Sequence, residues 1–151
     1  MKKALEERCK GLAMKYVWLV GLTLAAWEDV RYRQISILVL FFLGVFGLWN
    51  LYEAWNLGVS VLGQYLAAAS IGIVMLLLSK ATKGALGDGD GLFFLISACY
   101  LMLDEIVILF LGSLGIACIW GMMLFLKKHR NTTIPFLSCA WPVGMMIVWM
   151  Q

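Results

Sequence analysis

Six stretches of this 151-residue chain contain no Asp, Glu, Lys or Arg: 16–27, 34–52, 54–79, 91–103, 106–126 and 131–151. Long uncharged runs of this kind leave few folding options. In lipid every backbone N–H and C=O must find a partner inside the protein, so only helices and closed barrels cross a bilayer. None of the runs alternates with the two-residue period of a barrel strand, so the pattern predicts an all-α, polytopic bundle. A span takes about 20 apolar residues, and the chain has room for about six spans and little else. The expected architecture is therefore a single membrane-embedded domain, 1–151, with six transmembrane helices. Composition agrees: 63% of residues are hydrophobic, 14% are charged and the mean hydropathy is +0.90, far from the balance of a soluble domain.

The charges between the runs set a direction. "EDVRYR" carries Arg31 and Arg33, "KATKGALGDGD" carries Lys80 and Lys83, and "KKHRN" carries Lys127, Lys128 and Arg130. The intervening turns, expected around Glu53 and at Asp104–Glu105, have no basic residue. By the positive-inside rule the basic set faces the cytoplasm, which puts both termini outside. The N-terminal segment, with Lys2, Lys3, Arg8 and Lys10 among Glu6 and Glu7, reads as a short amphipathic piece at the interface. It lacks a small-residue cleavage site, so the first run reads as a retained helix.

Most other polar or reactive residues read as packing or anchoring. Cys9, Cys99, Cys118 and Cys139 are far apart and form neither a metal knuckle nor a disulfide framework. Trp27, Trp49, Trp55 and Trp149 stand near run ends, as interfacial aromatics do. Gly112, Gly115 and Gly121 are expected where helices approach closely. His129 is the only histidine and falls in a basic turn, so no metal and no cofactor is expected.

Two acids do not fit that description. Asp29 follows the first run, in "AAWEDVRYRQI", and Asp90 precedes the fourth, in "GDGDG". Both fall at the cytoplasmic face. Fourteen residues separate Lys15 from Asp29 and fourteen separate Asp90 from Asp104, so at 1.5 Å per residue each acid lies roughly 21 Å from an outer charge. A carboxylate at the mouth of an apolar run is costly to hold unless it is used. Two at matched depth suggest an aspartic protease dyad, in which one group ionises and the other keeps a shared proton. The ionised member takes a proton from the attacking water while the protonated member hydrogen-bonds the scissile carbonyl. The dyad titrates as a unit, and the sequence assigns neither role to a particular aspartate. Glycines beside the second acid let backbone and substrate approach closely.

"GDGD", Gly87 to Asp90, matches a GxGD motif, "DVRYRQI" from Asp29 matches D-x-R-x-x-x-I, and "IPFLSCAWP" from Ile134 is similar to a "PF" signature opening the last helix. Together these resemble the type IV prepilin leader peptidases, aspartic membrane proteases, over nearly the whole chain. The resemblance implies Asp29 and Asp90 as the catalytic pair, with Gly87, Asp88, Gly89, Arg31 and Pro135 shaping the site. The register of the motif selects Asp90 over Asp88, because Asp88 would need a glycine where the chain has Ala85. The chain departs from the family at Leu92, where relatives carry a lysine, and at Ile35 to Ile37, "ISI", where they carry an "IPN"-like element. It also has nothing like the cysteine-containing cytoplasmic segment of the bifunctional, N-methylating members. The implied form is the short, cleavage-only kind associated with tight-adherence (Flp), Gram-positive pilus or archaeal preflagellin systems.

The implied partner is a pilin precursor whose short basic leader is cut just before its hydrophobic helix, at the cytoplasmic side of the cell's inner membrane. Asp88 or Glu28 could attract that leader. Membrane lipid is the other expected partner, and no nucleic acid is. A calcium loop fails on position, since the fifth, sixth and twelfth places counted from Asp88 are Leu92, Phe93 and Cys99. Two rivals stay open: a small transporter in which the acids bind a cation or relay protons, and a non-catalytic assembly subunit that binds pilin without cutting it.

Overall fold

A computed structural model describes residues 2–32, 34–81, 87–126 and 136–150. They form six helices: α1 (Lys2–Tyr32), α2 (Ile37–Leu57), α3 (Val59–Ala81), α4 (Asp88–Ser97), α5 (Leu103–Leu126) and α6 (Phe136–Trp149). No strand occurs among the described residues. Apolar side chains cover the outside as well as the inside: Ile37, Leu38, Phe41 and Phe42 of α2 and Met122 and Met123 of α5 are all exposed. A bundle apolar on both sides suits lipid rather than water.

Of the six helices, three are long and apolar enough to cross a membrane, within Ile37–Asn56, Val61–Ala81 and Leu103–Met123. The others fall short for visible reasons. The apolar part of α1 is bounded by Lys15 and Glu28, α4 has 10 residues and α6 has 14. The basic N-terminal segment is not a separate piece, because α1 runs through it without a break.

The turn expected at Glu53 lies later, at Gly58. Glu53 is a good helix former, and its Oε1 accepts a hydrogen bond from Trp49 Nε1 at 3.3 Å, one turn back. Gly58 takes φ +132°, open to glycine and strained for other residues. The fourth helix is also shorter than its uncharged run. After Ser97 the chain folds into tight turns, with Cys99 N–H donating to Ile96 O and Tyr100 N–H to Ser97 O. Two side chains and a backbone group hold this end: Asn50 Nδ2 donates to Cys99 O at 2.8 Å, and Tyr100 Oη to Leu43 O at 2.6 Å. A helix C-terminus leaves its last carbonyls without partners, and α2 supplies one. The roughly 21 Å expected between Asp90 and Asp104 therefore does not describe one helix, since the ten residues of α4 rise only about 15 Å.

The core gathers Trp18 and Leu22 of α1, Leu43 of α2, Phe93 and Phe94 of α4, Ile106 and Leu109 of α5 and Leu137 of α6 around the buried Tyr100 and Leu101. Packing is closest between α3 and α4, where a Cβ on Gly72 would lie 2.5 Å from Leu95 Cα and one on Gly91 2.9 Å from Leu76 Cδ2. Of the glycines expected at contacts, Gly112 is one, facing Val143, whereas Gly115 faces open space. The next closest pairings are α1 with α6 and α5 with α6. Across the bundle, Trp18 Nε1 donates to Ser97 Oγ at 2.9 Å, joining α1 to α4 inside the core.

Candidate active site

The first acid sits in the last turn of α1, and the sequence just beyond it folds back at once. The Ser36 N–H donates to Glu28 Oε2 at 2.8 Å, closing the turn from α1 into α2. That bond occupies the carboxylate expected to attract a basic leader. It also brings Ile35 over the glycine motif: a Cβ on Gly89 would lie 3.0 Å from Ile35 Cδ1. Arg31 does not join the carboxylates; it is exposed, with its guanidinium 5.7 Å from the Tyr32 ring centroid.

The second acid is in the first turn of α4. Gly87 precedes the helix, and the Asp90 N–H donates to Gly87 O at 3.1 Å. A Cβ on Gly87 would stand 3.2 Å from Asp90 Oδ2. This gives the spacing of the motif a physical reason, because a side chain three residues before the acid crowds its carboxylate. The side chain of Asp88, and Pro135 altogether, lie outside what the structure describes.

Asp29 is buried, with 9% of its surface exposed. Its Oδ2 accepts the backbone N–H of Leu137 at 3.0 Å, from the first turn of α6. A helix begins with N–H groups that have no intrahelical acceptor and carries a partial positive charge there. The carboxylate of α1 supplies the acceptor that α6 lacks. Sequence reasoning missed this contact. Its one signal was "PF", whose Phe136 opens α6; it marks a helix start without saying what faces it.

The structure brings Asp29 and Asp90 within electrostatic reach of each other. Both stand outside the uncharged runs, at their ends, and outside the three helices long enough to cross a membrane. Burial pushes the Asp90 carboxyl up to about 7, and the charge of Asp29 adds in the same direction. Burial raises Asp29 as well, but the backbone N–H groups of Leu137 and Ser138 favour its charged form and work against the rise. A carboxyl raised this far beside a second acid keeps its proton to higher pH than a solvated aspartate does.

Beside Asp29 a groove of about 250 Å³ runs between α1 and α6, lined by Thr23, Ala26, Trp27, Val30, Ser138 and Trp141. Trp141 Nε1 donates to Thr23 Oγ1 across it at 3.1 Å. At the far end of the bundle Lys15 and Glu105 form an ion pair between α1 and α5, and Glu105 Oε2 also accepts the Met102 N–H at 3.0 Å. The pair sets Lys15 of α1 level with the start of α5. Among the described residues no three His, Cys, Asp or Glu side chains gather as a metal site would require. No family model matches the chain, and no curated protein and no solved structure matches it.

Proposed function

We propose that this chain is an aspartic endopeptidase of the prepilin leader peptidase type, with Asp29 and Asp90 as its catalytic pair. The observation that carries the reading is that two acids from distant parts of the chain stand within electrostatic reach of each other. Each stands at the end of an uncharged run, and the charge of one bears on the other. The glycine spacing supports it, since Gly87 is the position at which a side chain would crowd Asp90.

In this reading all six helices lie in the cytoplasmic membrane, the basic turns face the cytoplasm, and α1, α4 and α6 complete the bundle around the three longer spans. A carboxylate of the dyad removes a proton from water as the water oxygen attacks the scissile carbonyl carbon. The protonated partner gives its proton to the carbonyl oxygen, forming a neutral tetrahedral diol. Collapse of the diol breaks the C–N bond; the proton taken from water passes to the leaving amine, and the diol hydroxyl returns a proton to the second carboxylate. Water and one peptide bond are consumed, and two chain ends result. The substrate is a single-helix precursor of the type IV pilin kind, cut between its basic leader and its hydrophobic helix, without methylation of the product.

The test is cleavage in membranes. The chain is co-expressed with a candidate precursor from its own genome, and the mass of the precursor is followed. Wild type removes the leader, and Asp29→Asn or Asp90→Asn each slows removal by about two orders of magnitude or more. Asp88→Asn stays within a few fold of wild type. A wild-type chain that binds the precursor and leaves it uncut overturns the peptidase reading in favour of an assembly subunit.

A further inference from the structure

The two carboxylates are chemically identical, so a division of labour between them has to come from their surroundings. Those surroundings differ in kind. Asp29 lies against the first turn of another helix, with its Oδ2 3.0 Å from the Leu137 nitrogen, and Ser138 adds a second backbone contact. Asp90 is half-buried near the start of its own helix. There its backbone N–H is already turned to Gly87 O, and Gly87 itself leaves room beside its Oδ2.

We propose that the N-terminus of α6 makes the dyad asymmetric: the Leu137 N–H holds Asp29 as the ionised base and leaves Asp90 to carry the shared proton. The roles named here rest on the peptidase reading, while the asymmetry itself does not. A hydrogen bond from a backbone N–H stabilises a carboxylate more than a carboxylic acid, and the helix terminus adds its partial charge. Leu137 is thus a positioning residue acting through Asp29, and its side chain, packed in the core, fixes where the N–H points. Among the described residues, the charge of Asp29 bears on Asp90 of α4 and on Cys139 of α6, while its own carboxyl is governed by burial and by the backbone N–H groups of Leu137 and Ser138. Glu28, its neighbour on α1, is bonded to Ser36. The only charged residue of α2 is Glu53, far along that helix. Lys80, in the last turn of α3, is exposed.

In the reaction, Asp29 takes the proton from water and later passes it to the leaving nitrogen, and Asp90 gives its proton to the carbonyl oxygen and recovers one from the diol. The carboxylate fixed by α6 remains pointed at the water, while the acid that must form and break an O–H bond sits on the less constrained side chain.

The experiment reads protonation directly. The chain is placed in lipid nanodiscs with isotope-labelled aspartate, and its carboxyl stretch is followed by infrared spectroscopy against pH. Asp90→Asn isolates Asp29, and Asp29→Asn isolates Asp90. The expected result is that Asp29 ionises at least about one pH unit below Asp90. Replacing the Leu137 amide by an ester keeps the side chain, removes the N–H and weakens the Phe136 carbonyl as an acceptor, and it raises the Asp29 midpoint by about one pH unit. The same replacement at Met145, farther along α6, leaves the Asp29 midpoint where it was. The acid limb of the cleavage profile moves with the Leu137 ester by the same amount, which a merely structural role would not produce. Midpoints that coincide or fall in the reverse order overturn the proposal, as does a Leu137 ester without effect on Asp29. The order of the two midpoints decides the matter even if the ester chain fails to fold. A chain that shows the expected order and cuts no precursor overturns the peptidase reading and leaves the asymmetry standing.

Discussion

Replacing Gly72 by alanine pushes α4 off α3, and α4 carries Asp90. The new Cβ would stand 2.5 Å from Leu95 Cα and 2.6 Å from Leu95 N, where ordinary contact begins at 3.4 Å. Both obstacles are backbone, so the two helices must part by about 0.9 Å, the difference between contact and clash. Gly63, on the same helix, has nothing within 4 Å of its would-be Cβ. Alanine at either position gains about the same helix propensity, roughly 1 kcal/mol. The stability difference between the two variants therefore isolates the overpacking loss, expected at about 1–3 kcal/mol against Gly72→Ala. Leu95 and Asp90 share one short helix, so the displacement reaches the site, where a shift of about 1 Å costs on the order of 100-fold in rate. Unfolding of both variants in detergent gives the first number, and precursor cleavage in membranes gives the second. If Gly72→Ala and Gly63→Ala unfold alike and cut alike, α3 and α4 are not packed as described and the reasoning fails.

On the peptidase reading, cleavage should depend on pH through a bell, because a working dyad holds one charge and one proton. Its alkaline limb falls as pH rises through about 7, where Asp90 loses its proton, and its acid limb falls as Asp29 is protonated; a rate that keeps climbing above neutrality contradicts this. Trp18→Phe removes the hydrogen bond to Ser97 Oγ, whose own hydroxyl still donates to Phe93 O at 2.8 Å. It should destabilise the chain by about 2 kcal/mol in denaturant unfolding, and a loss below about 0.5 kcal/mol would rule out that bond. Lys15→Met takes one partner from a mostly buried ion pair and should lose about 1–3 kcal/mol, whereas the double change with Glu105→Met should recover most of it. A double variant as damaged as the sum of the singles would show that the two side chains do not interact.

The sequence was most legible where lipid leaves a chain few choices. Uncharged runs and basic turns gave six helices and brought Asp29 and Asp90 to one end. The glycine spacing singles out Asp90, and a Cβ on Gly87 would crowd its carboxylate. Helix ends were less legible, because they depend on partners distant in sequence. Ser97 ends α4 inside an uncharged run because Asn50 and Leu43 of α2 receive the turns that follow. Glu53 continues α2 because a good helix former need not end a helix, whereas Gly58 at positive φ does. The contact of Leu137 with Asp29 joins residues at opposite ends of the chain, and no local pattern encodes it.

The two acids are anchored in different packings. Asp90 stands on α4, which is clamped to α3 at Gly72 and Gly91, and Asp29 of α1 is bonded to the start of α6. The hydrogen bond of Trp18 to Ser97 ties α1 to α4 in the core, so the separation of the two carboxylates is set by how these pairs of helices sit against each other.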